Sequence, residues 1–171
     1  LLALIVWNLK PEKDKSKSTT LQSDYRLLDF KMTAFNEQGQ ESFSLTAPKL
    51  ERDPAGKTVT VTKPVFTFPN ENNELWTARS DTAWVADKAR EVQLRDNVTM
   101  LGPVSEQNLQ IQLVTQKLTV FPKENRIIGT DWVNISYGDS IMKGLGVEAD
   151  IKQHHVQLLS KVQVHYAAKS L

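Results

Sequence analysis

Three histidines, His154, His155 and His165, are the side chains of this chain best suited to metal ligation or to proton transfer near neutral pH. Two of them, His154 and His155, are adjacent, and adjacent residues on a strand point to opposite faces, so they do not grip one ion together. The 171 residues include no cysteine, which excludes a thiolate nucleophile, a disulfide framework and every cysteine metal site. G-x-S-x-G, H-E-x-x-H, Walker and G-x-G-x-x-G patterns do not occur. Carboxylates fall in polar breaks such as RDPAGK and PNENNE, where turns recruit Asp and Glu without any catalytic need. Asn97-Val-Thr99 and Asn134-Ile-Ser136 match the glycosylation sequon, yet each asparagine is adjacent to a valine of a repeated pattern, Val98 and Val133, which predicts a strand-entry role. The residue types thus predict no catalytic or metal site, no cofactor and no enzyme.

The charge balance is equally bland. With 21 basic against 20 acidic residues the net charge is +1, and no global field favours nucleic acid as a partner. The length suits one domain with an appendage. Residues 1–9, LLALIVWNL, are apolar and give way to KPEKDKSKSTT, which reads as a solvated linker over 10–23. Nine residues are too few to span a bilayer, which needs about 20, so the expectation is the carboxyl-terminal end of a longer transmembrane helix. A residual signal peptide is the alternative, but the small-x-small cleavage pattern is missing. Trp7 suits a membrane interface, while the following lysines favour the cytoplasmic side, and orientation stays open on these residues.

From residue 24 to 168 the pattern is that of strands. Period-two alternation recurs, and polar breaks separate the runs at intervals too short for helices, which predicts an all-β, antiparallel domain built of hairpins. Fifteen residues after Leu50, Ala83, Leu118 and Val147 stand Val65, Val98, Val133 and Val162. An apolar pair precedes each valine: Val59 and Val61, Val92 and Leu94, Ile127 and Gly129, Val156 and Leu158, with Gly129 as an exception. Two residues after each valine stand Thr67, Met100, Ile135 and Val164. Four hairpins of this kind, each too small to be stable alone, bury their shared face by stacking into a jellyroll or roll.

All aligned positions share strand parity and are expected inside. Alternation adds Phe30 and Met32, Phe43 and Leu45, and Ile111 and Leu113 to that face, while Thr60 and Thr62 are expected to meet water. Trp76, Trp84 and Trp132, with Phe30, Phe43, Phe66 and Phe68, are each expected in the core. Whether the interior is solid or an open groove is undecided by composition. Pro64 cannot donate to a ladder and predicts an irregular strand at Lys63 and Pro64. The last segment, VQVHYAA, carries few charges to guard an edge against strand addition.

The runs IQLVTQKLTV at 111–120, KPVFTF at 63–68, LRDNVTM at 94–100, IMKG at 141–144 and VQVHY at 162–166 resemble the LptC family, with LVTQ the most specific of them. The resemblance implies a bitopic inner-membrane protein of Gram-negative bacteria with a periplasmic β-jellyroll. Such a protein receives lipopolysaccharide from the LptB, LptF and LptG transporter and hands it to LptA edge to edge. It places the β domain in the periplasm despite the lysines of the linker.

Carried over by position, Phe30 and Val61 match places lining the lipid-holding interior. The inward set then becomes the expected lipid-binding surface: Phe30, Met32, Phe43, Leu45, Val59, Val61, Val65, Val92, Leu94, Val98, Met100, Ile111, Leu113, Val133 and Ile135. Tyr166 matches an aromatic at the carboxyl edge where LptA docks, with Val156, Leu158, Val162 and Val164 beside it, and the transporter is expected at the amino-terminal edge. Gly129 matches a glycine near the bridge-forming half, and Gly144 closes the IMKG run; both are expected to be structural. A soluble LptA-like bridge and an interaction module with a solid core are the alternatives in the same fold.

Overall fold

The structure, a computed structural model, describes the backbone of Ala3–Trp7 and residues 26–53, 58–86, 89–153 and 155–166. The strands are β1 (Ala3–Trp7), β2 (Arg26–Phe35), β3 (Glu41–Arg52), β4 (Val59–Thr62), β5 (Val65–Pro69) and β6 (Leu75–Arg79). They continue as β7 (Thr82–Val85), β8 (Val92–Val104), β9 (Gln110–Phe121), β10 (Arg126–Tyr137), β11 (Ser140–Asp150) and β12 (His155–His165). Among the described residues these make a 12-stranded sheet in which each strand pairs antiparallel with its neighbours. The expected hairpins form: β3 returns as β4 and β5, β7 as β8, β9 as β10 and β11 as β12.

Turn chemistry explains the hairpin ends. In NEQGQ the Asn36 Oδ1 accepts from the amides of Gln38 and Gln40, and in NENNE the Asn70 Oδ1 accepts from those of Asn72 and Glu74. The fourth residue of each loop is left-handed, Gly39 at φ 77° and Asn73 at φ 60°, and Asn108 repeats this at φ 61° in SEQNL. Gly and Asn are the residues that adopt this conformation most readily. Ala89, at φ 56°, holds the corresponding place in the loop whose Ala86 amide donates to Glu91.

A line of backbone irregularities crosses the sheet. It runs through Asp29 of β2, the break between β4 and β5 at Lys63, and the break between β6 and β7 at Ser80 and Asp81. Farther on it passes through Asp96 and Asn97 of β8, the shift in β10 between Gly129 and Trp132, Gly146 of β11 and Lys161 of β12. The Lys63 amide donates to the Asp81 carbonyl and the Asp81 amide to that of Asp96, so the line is stitched across strands. Bulges bend strands and sharpen their twist. Aligned in one column, they divide the sheet into two limbs that meet in a V and face each other across the core.

The core fills the apex of that V. Val61, Pro64, Leu94, Val98, Leu118, Val133 and Val147 all lie within a few residues of the bend and are among the most completely buried side chains. Burial of a valine or leucine contributes about 1.5–3 kcal/mol, so this row is what holds the limbs together.

Three expectations are corrected. Val65 does not face inward: it pairs with Thr46 and Arg79, while Phe66, opposite Leu45, takes the interior place. Pro64 is itself packed inside, so this copy returns to the core one residue sooner than the others. Of the three tryptophans expected in the core, only Trp76 packs on it. Trp84 lies opposite Thr60 on the outer face with the Arg95 guanidinium 5.6 Å from its ring, and Trp132 is 45% exposed. Finally, Ala3–Trp7 is a strand on β2, paired from Phe35 to Lys31, where the end of a helix is expected; apolar and β-branched residues satisfy an open ladder well. Residues 1, 2 and 8–25, which carry the rest of that segment and its linker, lie outside the described residues, as do His154 and residues 167–171. No helix among the described residues is long and apolar enough to cross a membrane.

Candidate functional site

Above the packed apex the two limbs part around a cavity of about 730 Å³. One limb supplies Phe43, Phe66, Phe68, Leu75, Ala78 and Met100, and the other supplies Val92, Leu94, Val120, Ile127 and Ile151. Asn36, Gln40, Glu41, Asn70, Glu71 and Lys152 form a polar rim where the turns meet it. An apolar chamber with a few polar groups at its mouth is the usual build of a site for a largely apolar ligand. The question of solid core against open groove is therefore settled by position: solid along the bend, hollow toward the strand ends.

The inward residues divide accordingly. Phe43, Val92, Leu94 and Met100 line the cavity. Phe30, Leu45, Val61, Val98, Leu113, Val133 and Ile135 are buried in the packed part, and Met32, Val59 and Ile111 pack against it from partial exposure. Phe66 and Phe68, expected in the core, line the cavity in place of Val65 because Pro64 shifts the parity of β5, and Ala78 of β6, opposite Phe66, was missed. Val120 and Ile127 were legible, since Ile127 stands in the repeated apolar column. Thr60 is exposed and Thr62 half-buried, on the side opposite Val61.

At β12 the interior wall runs out into solvent. Val156 pairs with Ala149, Leu158 with Val147 and Val164 with Met142, so these side chains continue the inward rows of Ile127, Gly129 and Ile135. No strand among the described residues covers them. Val156, Met142, Val162 and Val164 are exposed as a result, and Tyr166 beyond them is 79% exposed.

Glycines shape this wall. A Cβ on Gly129 would meet Leu118 Cδ2 at 2.9 Å and Val147 Cγ1 at 3.0 Å, so these two side chains fill the place where the apolar column skips a residue. Gly144 lies against Leu158 in the same way, its added Cβ falling 3.1 Å from the leucine Cβ.

No titratable side chain among the described residues is buried, and Glu41, Glu71 and Lys152 reach only the rim of the cavity. Neither His155 nor His165 is buried, and no group of three or more His, Asp or Glu among the described residues could hold a metal ion. Asn97, expected at strand entry, sits in the β8 bulge and donates to the Asp81 carboxylate at 2.7 Å. Glu51 Oε1 lies 2.9 Å from Lys49 Nζ and 2.9 Å from Arg26 Nη2, and the Lys49 hydrogen bond foremost holds its carboxyl below the usual glutamate range.

The lipopolysaccharide-assembly, LptC-related family matches residues 1–167. The chain belongs to that family. Among curated proteins none matches. Among solved structures, the crystal structure of LptH from Pseudomonas aeruginosa, described as the LptA-homologous periplasmic component of a conserved lipopolysaccharide transport device, is similar in fold. Its TM-score is 0.57 at 10% identity, over 73% of this chain and 94% of that one. The chain is thus a β-jellyroll of a family concerned with lipopolysaccharide assembly.

Proposed function

We propose that this LptC-family protein is a lipid conduit standing at the inner membrane of a Gram-negative bacterium. The amino-terminal side of the chain faces the membrane, and the β domain at 24–168 lies in the periplasm. Lipopolysaccharide arrives from the LptB, LptF and LptG transporter at the β2 side, lies with its acyl chains between the limbs, and leaves to LptA at β12. The observation that carries this reading is the inward apolar wall, which continues without interruption to the uncovered edge at Val156, Leu158, Val162 and Val164.

Physical chemistry asks for no catalyst here. Returning roughly twelve methylenes of one acyl chain to water costs about 10 kcal/mol at ~0.8 kcal/mol each, and the lipid carries several such chains. Passage works only if each groove offers apolar surface like the last, so that transfer between neighbours is nearly isoenergetic and an upstream motor sets the direction. A photo-crosslinking residue at Phe68 or Met100 captures lipopolysaccharide in cells, whereas the same residue at Thr60 does not. Equal capture at all three sites, or none at the two inner ones, would overturn the reading.

A further inference from the structure

The two lips of the cavity differ in charge. One lip is made by the turns at 36–41 and 69–75, which carry Glu37, Glu41, Glu71 and Glu74 and neither lysine nor arginine. The other is made by the turns at 122–126 and 150–153, where Lys123, Arg126 and Lys152 stand beside Glu124 and Asp150. Glu41 and Glu71 line the cavity on the first side, and Lys152 is the one cation among the described residues that lines it on the second.

Several of the surrounding charges are already engaged. Asn70 Nδ2 donates to Glu74 Oε2 at 2.9 Å, Arg126 pairs with Glu148 at 2.9 Å, and Asp150 Oδ1 accepts from the amides of Lys152 and Gln153 at 2.9 Å each. Glu41, Glu71 and Lys152 form no ion pair among the described residues. The backbone under Lys152 is held twice, by Asp150 at its own amide and by the Ile151 amide, which donates to the Asn125 carbonyl at 2.8 Å. A braced turn therefore presents an unpaired ammonium at the mouth of an apolar chamber, across from two unpaired carboxylates.

That polarity bears on how an amphiphile lies in the chamber. The lipid anchor of lipopolysaccharide joins its acyl chains to a sugar head that carries phosphate. With the chains between the limbs the head stays at the mouth, where an ammonium draws phosphate in and carboxylates push it away. We infer that Lys152 recognises the phosphate of the lipid head and, with Glu41 and Glu71 opposite, sets which way round the lipid lies, phosphate toward the turns that join β9 to β10 and β11 to β12. The inference rests on the reading of the cavity as the seat of the acyl chains. A latch in which Lys152 reaches Glu71 and shuts the chamber is the competing use of the same charges. Loss of the lysine separates the two: a latch lets go and every lipid enters more readily, whereas a phosphate site loses its preference for phosphate.

The test titrates the full chain, in detergent and with a photo-crosslinking residue at Met100, with the purified lipid anchor of lipopolysaccharide and with the same lipid stripped of phosphate by a phosphatase. The wild type captures the phosphorylated form at about fivefold lower concentration. Lys152→Gln captures both forms alike, Lys152→Glu prefers the stripped form, and Lys152→Arg keeps the wild-type preference. Joint replacement of Glu41 and Glu71 by glutamine improves capture of the phosphorylated form about twofold and leaves the stripped form unchanged. Equal capture of the two forms by the wild type, a preference that survives Lys152→Gln, or a gain for both forms in that variant would each overturn the inference while leaving the groove reading intact. Capture of neither form at Met100 removes the groove reading, and the phosphate site with it.

Discussion

The hydroxyl of Thr115, buried in the apolar interior, donates at 2.9 Å to the main-chain carbonyl of Trp132. That carbonyl lies where the ladder between β9 and β10 is interrupted, between Ile128 and Asn134. A bend that folds a sheet also strips backbone groups of their partners, and a hydroxyl on the next strand replaces what is lost. Other hydroxyls serve carbonyls along the column: Ser160 Oγ of β12 donates to that of Leu145 on β11 at 3.2 Å, and within the break between β6 and β7 Ser80 Oγ donates to that of Thr82 at 2.8 Å.

Thr115→Val keeps the shape and removes the donor. The variant loses about 1–3 kcal/mol of unfolding free energy, the cost of a buried carbonyl left unpaired, while Thr115→Ser loses less. Urea unfolding followed by tryptophan fluorescence reads the difference, and a valine variant as stable as wild type would show that the carbonyl finds another partner.

Gly129 tests the packing of the apex. Gly129→Val pushes into Leu118 and Val147 at once, with the Lys117 carbonyl only 3.2 Å from the new Cβ, and is expected to destabilise by about 1–3 kcal/mol. The urea midpoint should fall, and the slope of the transition should stay unchanged.

Ala89 predicts a gain. Left-handed backbone costs an alanine about 1–2 kcal/mol, part of which glycine returns as unfolded-chain entropy, so Ala89→Gly should stabilise by about 0.5–1 kcal/mol. Thermal unfolding should move upward by about 2 °C.

Glu51 gives the pH dependence. Its folded carboxyl titrates below the ordinary value of 4.5, so the stability it contributes is fully present above that value and is lost as pH falls through the lowered one. The pair with Lys49 and Arg26 is exposed, and solvent screening keeps this contribution under about 1 kcal/mol. Between about pH 5 and pH 3 the wild type should lose slightly more stability than Glu51→Gln, and the difference should shrink in high salt.

Much of the wall was legible because strand parity is a local property. The repeated pairs Val59 and Val61, Val92 and Leu94, and Val156 and Leu158 place their side chains on one face whatever the rest of the chain does. Val65 was misplaced for an equally local reason that no pattern displays: Pro64 entered the core and shortened the bend by a residue. Trp84 and Trp132 were misplaced because hydrophobicity cannot tell an inner face from an outer one that offers a cation to stack on.

Alternation and polar breaks by themselves determined that the chain forms antiparallel hairpins sharing one apolar face. Only the tertiary structure decided where that face is packed and where it is hollow. The irregularities of β2, β8, β10, β11 and β12 and the breaks at Lys63 and Asp81 fall in one column, beside which residues are packed while a cavity opens toward the strand ends. That column joins residues as distant in sequence as Asp29 and Lys161, so its alignment is a property of strand pairing and not of any one strand.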